Sequence, residues 1–167
     1  MRIRSEELAE LSAIRTVNLA AFETVAEADL VDALRGQATP LISLVAEDGA
    51  AIVGHILFSP VMLDRHPDVQ IMGLGPMAVV PPRQRQGIGS ALVREGLDTC
   101  ESVGAGAVVV VGHATYYPRF GFAPASRFGL SCQYAVPDDV FMVVELDPGA
   151  LKGVAGTVRY HPAFDTV

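Results

Sequence analysis

The run Val79-Val80-Pro81-Pro82-Arg83-Gln84-Arg85-Gln86-Gly87-Ile88-Gly89-Ser90-Ala91-Leu92-Val93 constrains this chain more than any other. Val80 precedes a proline, which biases it to extended geometry and ends the strand there. A short basic glycine loop follows, and Ile88 opens a helix. The first N–H groups of a helix lack internal acceptors and lie at the positive end of its dipole, so this turn is built to attract phosphate. Gly87 and Gly89 keep side chains out of the way, and Arg83 and Arg85 add charge beside the turn. These residues point to a site for the pyrophosphate of a nucleotide-containing cofactor. The pattern G-x-x-x-x-G-K-[ST] of nucleoside-triphosphate loops is absent, which leaves a general phosphate-binding protein as a distant alternative.

The sequence before the loop admits two readings. Gly73-Leu74-Gly75-Pro76-Met77-Ala78 spells G-x-G-x-x-A, but that dinucleotide fingerprint must follow a strand and open a helix. Here it contains a proline and continues as strand, so a Rossmann site is rejected. Two glycines and a proline within a strand predict a bulge. The bulge either twists the sheet only, or leaves backbone N–H and C=O groups open to an extended ligand with amides of its own.

Along the chain, 1–4 reads as a short strand and Ser5 as the N-cap of a helix with Leu8, Leu11, Ile14 and Leu19 on one face. A second helix spans 25–35, with Gly36 placed to end it. The acids Glu23, Glu27, Asp29 and Asp32, in and just before it, form either a solvated face or a rim that attracts an amine. β-rich runs at 41–46, 51–63 and 69–80 predict consecutive antiparallel strands. The helix from Ile88 carries Leu92, Val93, Leu97, Cys100 and Val103 on its apolar side. Ala107–Val111 reads as a buried strand that completes a right-handed crossover. Residues 112–122 are irregular, 140–146 form a further strand, and 148–167 lie on the domain as a tail or short strand. The fold class is therefore α+β on a mixed, mostly antiparallel sheet. It forms a single domain over 1–167, with a core at about 1–147.

Net charge is −7, from 19 acids against 12 Lys plus Arg, which excludes a generally basic face for nucleic acid or anionic lipid. Apolar runs are short, so neither a membrane span nor a signal peptide is expected, and the location expected is cytoplasmic. Two cysteines, Cys100 and Cys132, make neither a disulfide framework nor a thiolate metal site. The apolar composition and spare edge strands allow a homodimer.

The bulged strand, the Gln84-x-x-Gly87-x-Gly89 loop and the helix resemble the acetyl-CoA motif of the GNAT superfamily of N-acetyltransferases, Q/R-x-x-G-x-G/A. Tyr117-Pro118-Arg119-Phe120-Gly121-Phe122 is similar to that superfamily's second landmark, a Tyr followed by Gly-Phe. The run Gly112–Phe122 further resembles a small bacterial subgroup of predicted acetyltransferases. The resemblance implies acetyl-CoA as cosubstrate and a primary amine, on a small molecule or peptide, as acceptor. It implies backbone contacts to pantetheine from Met77, Ala78 and Val79, with the Met77 N–H on the thioester carbonyl. It places pyrophosphate on Gln84, Arg85, Gln86, Gly87, Ile88, Gly89 and Ser90, and makes Tyr117 the acid that protonates the departing thiolate. Two departures stand out. An Asn common before the Tyr is replaced here by His113 and Thr115. No Glu or Asp occurs in 69–80, which leaves the base to His113 or to water. A non-catalytic acyl-CoA-binding or sensory domain of the same fold is the alternative.

Overall fold

The computed structural model describes all 167 residues. Its strands are β1 (Arg2–Ser5), β2 (Ile42–Asp48), β3 (Ala51–Leu63), β4 (Ile71–Val79), β5 (Ala107–Val111), β6 (Ala123–Pro124), β7 (Leu130–Cys132), β8 (Phe141–Glu145) and β9 (Gly156–Arg159). The helices are α1 (Leu11–Ala21), α2 (Ala26–Gln37) and α3 (Ile88–Ser102). Antiparallel ladders join β1–β2, β2–β3, β3–β9, β5–β8 and β6–β8, and parallel ones join β4–β5 and β7–β9. The fold class is the mixed, mostly antiparallel α+β arrangement anticipated above. The residues group into two compact units, one of 1–59, 75–96 and 162–167, the other of 60–74 and 97–161.

In the first unit, β1, β2 and the first part of β3 carry α1 and α2. Ile14, Leu30, Val31, Leu34, Ala38, Val45 and Leu57 form a buried cluster, with Ala163 and Phe164 of the C-terminal segment packed against it. Several sequence expectations are corrected here. Ser5 remains in β1, and the cap is instead a reciprocal box between Glu7 and Glu10 that opens a 3-10 turn ahead of α1. Ile14 is buried as expected, but Leu8, in the 3-10 turn, and Leu19 are exposed, and Val17 and Asn18 complete the inward face instead. Gly36 lies inside α2, which runs on to Gln37. Arg15 of α1 pairs with Asp29 and Asp32 of α2 at 2.9 and 2.6 Å, so two of the acids brace helix against helix.

Buried Asn18 is part of a polar chain. Its Nδ2 donates to the Ile14 carbonyl at 3.0 Å and to His55 Nδ1 at 3.2 Å. His55 Nε2 therefore carries the proton and donates to Ser43 Oγ at 2.8 Å. The Ser43 hydroxyl donates to Glu6, whose other oxygen accepts from Arg35. Burial, aided by the charge of Arg35, pushes the His55 pKa down to about 3, so the ring is neutral. His55 is thus a satisfied structural histidine.

Also in this unit, α3 lies against β3. Gly54 of β3 faces Ile88 and Leu92, and a Cβ at Gly96 would strike the Phe58 ring. In the second unit, Ala107–Val110 of β5 are fully buried between neighbours, as the β-branched run predicts. Val103, expected on the apolar side of α3, lies past its end and is half exposed. β6 and β7 were not anticipated. β9 realises the expected short strand in the C-terminal stretch, pairing with Met62–Leu63 and with β7.

Candidate cofactor site

The first unit holds the end of β4 and the glycine loop. The β4–β5 ladder covers Ile71–Gly73 against Ala107–Val109 and goes no further, so Leu74–Val79 lie outside it. Gly75, with φ of 145°, follows directly. The Val80 N–H donates to the Val53 carbonyl of β3 at 3.0 Å. Successive strand residues aim their polar groups at opposite edges. Val79 and Met77 therefore aim theirs away from β3. Gln84 Nε2 donates to the Val79 carbonyl at 2.9 Å, which takes up that acceptor and leaves the N–H.

Pro81–Arg83 form a single 3-10 turn that carries the chain from strand to loop. Gln86 Nε2 donates to the Pro82 carbonyl at 3.2 Å, and Gln86 Oε1 accepts from Arg83 Nε at 3.0 Å. Gln84 and Gln86 thus spend their side chains holding the loop, and the Gln84 N–H is itself taken by the Pro81 carbonyl at 3.3 Å, so the ligand is left the backbone N–H groups further along the loop. The Gly87 carbonyl accepts the Ala91 N–H at 3.0 Å, the first bond of α3. The N–H groups of Gly87, Ile88 and Gly89 precede it and have no helical acceptor. Gly87 has φ of 85°, and a Cβ there would meet nothing within 4 Å, so the loop backbone is open to approach. Ile88 is buried and anchors the helix start.

The two arginines of the loop differ. Arg83 Nη1 lies 2.7 Å from Asp48 Oδ2, and this contact holds the Asp48 carboxyl below its usual range. Arg85 is exposed, has φ of 62° and makes no ion pair. A free cation beside three unused N–H groups suits a phosphate dianion, so these residues fit the nucleotide end of coenzyme A.

The second unit holds Tyr117, which is 7% exposed, at the start of a 3-10 turn over Tyr117–Phe120. Its ring makes edge contacts with Tyr116 (centroids 5.1 Å apart) and Phe122 (5.6 Å). The backbone carbonyl of exposed His113 accepts from the Tyr116 and Tyr117 N–H groups at 3.1 and 3.4 Å. Gly112 ends β5 against the phenol. A Cβ there would lie 2.9 Å from Tyr117 Cδ2 and closer still to Cε2. Desolvation, with a smaller effect from Tyr116, pushes the Tyr117 pKa up to about 12. Arg119 sits over the Tyr116 ring at 4.6 Å and donates from Nε to the Tyr116 carbonyl at 3.0 Å. Sequence reasoning missed the fit of Gly112 to Tyr117 and the Asp48–Arg83 pair. A glycine ending a β-branched strand five residues before the tyrosine was the only signal for the first.

No group of three or more His, Cys, Asp or Glu side chains is arranged to hold a metal ion. No helix is long and apolar enough to cross a membrane.

Residues 11–122 match the acetyltransferase (GNAT) family. The N-acetyltransferase YhbS of Escherichia coli K12 is 37% identical over 166 residues, 99% of this chain and 99% of its own. YjhQ of the same strain, also an N-acetyltransferase, is 40% identical over 134 residues, 78% of this chain and 74% of its own. The crystal structure of the E. coli YhbS protein in complex with CoA superposes with a TM-score of 0.92 at 38% identity, covering 98% of this chain and 91% of that one. A GNAT family acetyltransferase from Brucella melitensis, in complex with acetyl-CoA, gives 0.81 at 36% identity, covering 98% and 97%.

Proposed function

Because the chain belongs to the acetyltransferase (GNAT) family, we propose that it transfers the acetyl group of acetyl-CoA to a primary amine of a small molecule or peptide, by direct attack within a ternary complex. It is an acyltransferase, and acetyl-CoA is its cosubstrate. The observation that supports the site is the open backbone edge at Met77 and Val79, leading into a loop whose Gly87–Gly89 N–H groups have no helical acceptor.

The cosubstrate supplies a thioester already reactive toward a neutral amine, so the chain mainly contributes proximity and charge stabilisation. The Gln84–Ser90 backbone holds the pyrophosphate. Met77 and Val79 align the pantetheine arm through backbone groups turned away from β3, whereas those of Ala78, in step with Val80, face β3 and are not offered to it. The Met77 N–H donates to the carbonyl oxygen as negative charge gathers there. Tyr117 donates to the departing sulfur. Its raised pKa keeps it protonated at neutral pH but makes it a weaker acid than a thiol, so burial alone does not favour the transfer. The proton balance closes because the attacking nitrogen gives up a proton as the sulfur gains one. His113 or a water receives the nitrogen's proton.

The test is thiol release from acetyl-CoA across a panel of primary amines, with the acetylated product identified by mass. CoA binding without release for any amine, unaffected by Tyr117→Phe, would favour a non-catalytic acyl-CoA-binding domain and sink this reading.

A further inference from the structure

We propose that Asp48 is a positioning residue for the cofactor loop, acting by holding Arg83 as a strut rather than leaving it as a phosphate ligand. The inference rests on the reading of Gln84–Ser90 as the pyrophosphate cradle.

Asp48 is the last residue of β2, beside the Gly49-Ala50 turn, 35 residues ahead of Arg83. Its carboxylate takes Arg83 Nη1 at 2.7 Å, while Gln86 takes Arg83 Nε at 3.0 Å. One guanidinium therefore bridges the β2–β3 turn to the crest of the loop. Gln86 in turn donates to the Pro82 carbonyl, which closes a small frame at Pro82, Arg83 and Gln86. The frame stands immediately before the backbone groups that must point at the phosphates. The N-terminal ammonium adds to the effect of Arg83 in favouring the charged Asp48 carboxylate. Arg85, two residues on, has no ion pair and is the cation free to meet the ligand.

Two ideas about Asp48 predict opposite signs. If it merely adds negative charge near an anion site, removing that charge tightens CoA binding, because like charges repel. If it holds the strut, removing it loosens the loop and weakens binding, although one negative charge has gone. A half-exposed ion pair is worth little by itself, so the expected change is a few-fold rather than a hundredfold.

The experiment compares CoA dissociation constants, measured by calorimetry, for the wild type, Asp48→Asn and Asp48→Glu. Turnover is followed in parallel with S-acetylpantetheine, a thioester that lacks the pyrophosphate. Asp48→Asn is expected to weaken CoA binding by about threefold to fivefold. Asp48→Glu, which keeps a carboxylate, recovers the wild-type value to within about twofold. kcat/KM for S-acetylpantetheine stays the same in all three. Tighter or unchanged CoA binding by Asp48→Asn overturns the proposal. So does a parallel loss with S-acetylpantetheine, which marks general damage to the fold. A wild type that binds no CoA refutes the cradle itself, a separate failure read from the first titration.

Discussion

Tyr117 is held by shape as much as by polarity. Its ring fills the space that a side chain at Gly112 would occupy, and aromatic edges fix its other sides. Replacing it by Phe keeps the packing and removes the proposed proton donor. Turnover is expected to fall about 100-fold or more, the usual scale for loss of a general acid, with CoA affinity retained. Steady-state kinetics beside calorimetry check this. Gly112→Ala should displace the phenol and lower kcat in the same direction, with the alkaline limb of the pH–rate profile moved. In the wild type that limb should lie near 12 rather than near 10, because the folded pKa is raised and the donor is lost only as pH climbs through it. Tyr117 was singled out by its spacing to Gly121-Phe122. The role of Gly112 was not, because a glycine beside a strand end usually signals only a turn.

Within single elements, β-branched runs and 3.6-residue periodicity located the main strands and helices. The deviations have physical causes. α2 runs through Gly36 because a glycine costs a helix only about 1 kcal/mol, and burial of Leu34 outweighs that. The burial of Asn18 has no local signal, because its partner His55 lies 37 residues away. β6 and β7, of two and three residues, are too short to show alternation. Two stability predictions belong here. His55 has a lowered folded pKa, so its contribution is fully present above the unfolded value near 6.5 and is lost as pH falls toward 3. Between pH 7 and 5 the wild type should lose about 2 kcal/mol by this route. His55→Gln should show a correspondingly flatter pH dependence in urea melts. Gly96→Ala drives a methyl group into the Phe58 ring and should destabilise by about 1–3 kcal/mol, read from the denaturant midpoint.

At the scale of the whole chain, β3, β4 and α3 each contribute residues to both compact units, and the C-terminal segment belongs to the first. Phe164 packs on the cluster of Ile14, Leu30, Val31 and Leu57, so the last residues act as core for the first helices. Phe164→Ala should lower stability by about 1–2 kcal/mol, and urea titration measures it. In the sequence Phe164 is one apolar residue of the C-terminal stretch, and its partners lie over a hundred residues upstream, where no local pattern could name them. The course of the glycine loop was legible because its elements are local: strand end, prolines, glycines and helix start follow one another in the chain. The bracing of that loop from Asp48 was not, since it joins two turns far apart in sequence.

The aromatic cluster around Tyr117 has a spectroscopic consequence. The chain contains no tryptophan and four tyrosines, at 116, 117, 134 and 160. All four lie in the second unit. Ultraviolet emission from this protein is therefore a built-in optical label for that unit alone, whereas far-ultraviolet dichroism sees both. Recording the two signals through one melt reads the second unit against the whole chain, with no dye and no added residue.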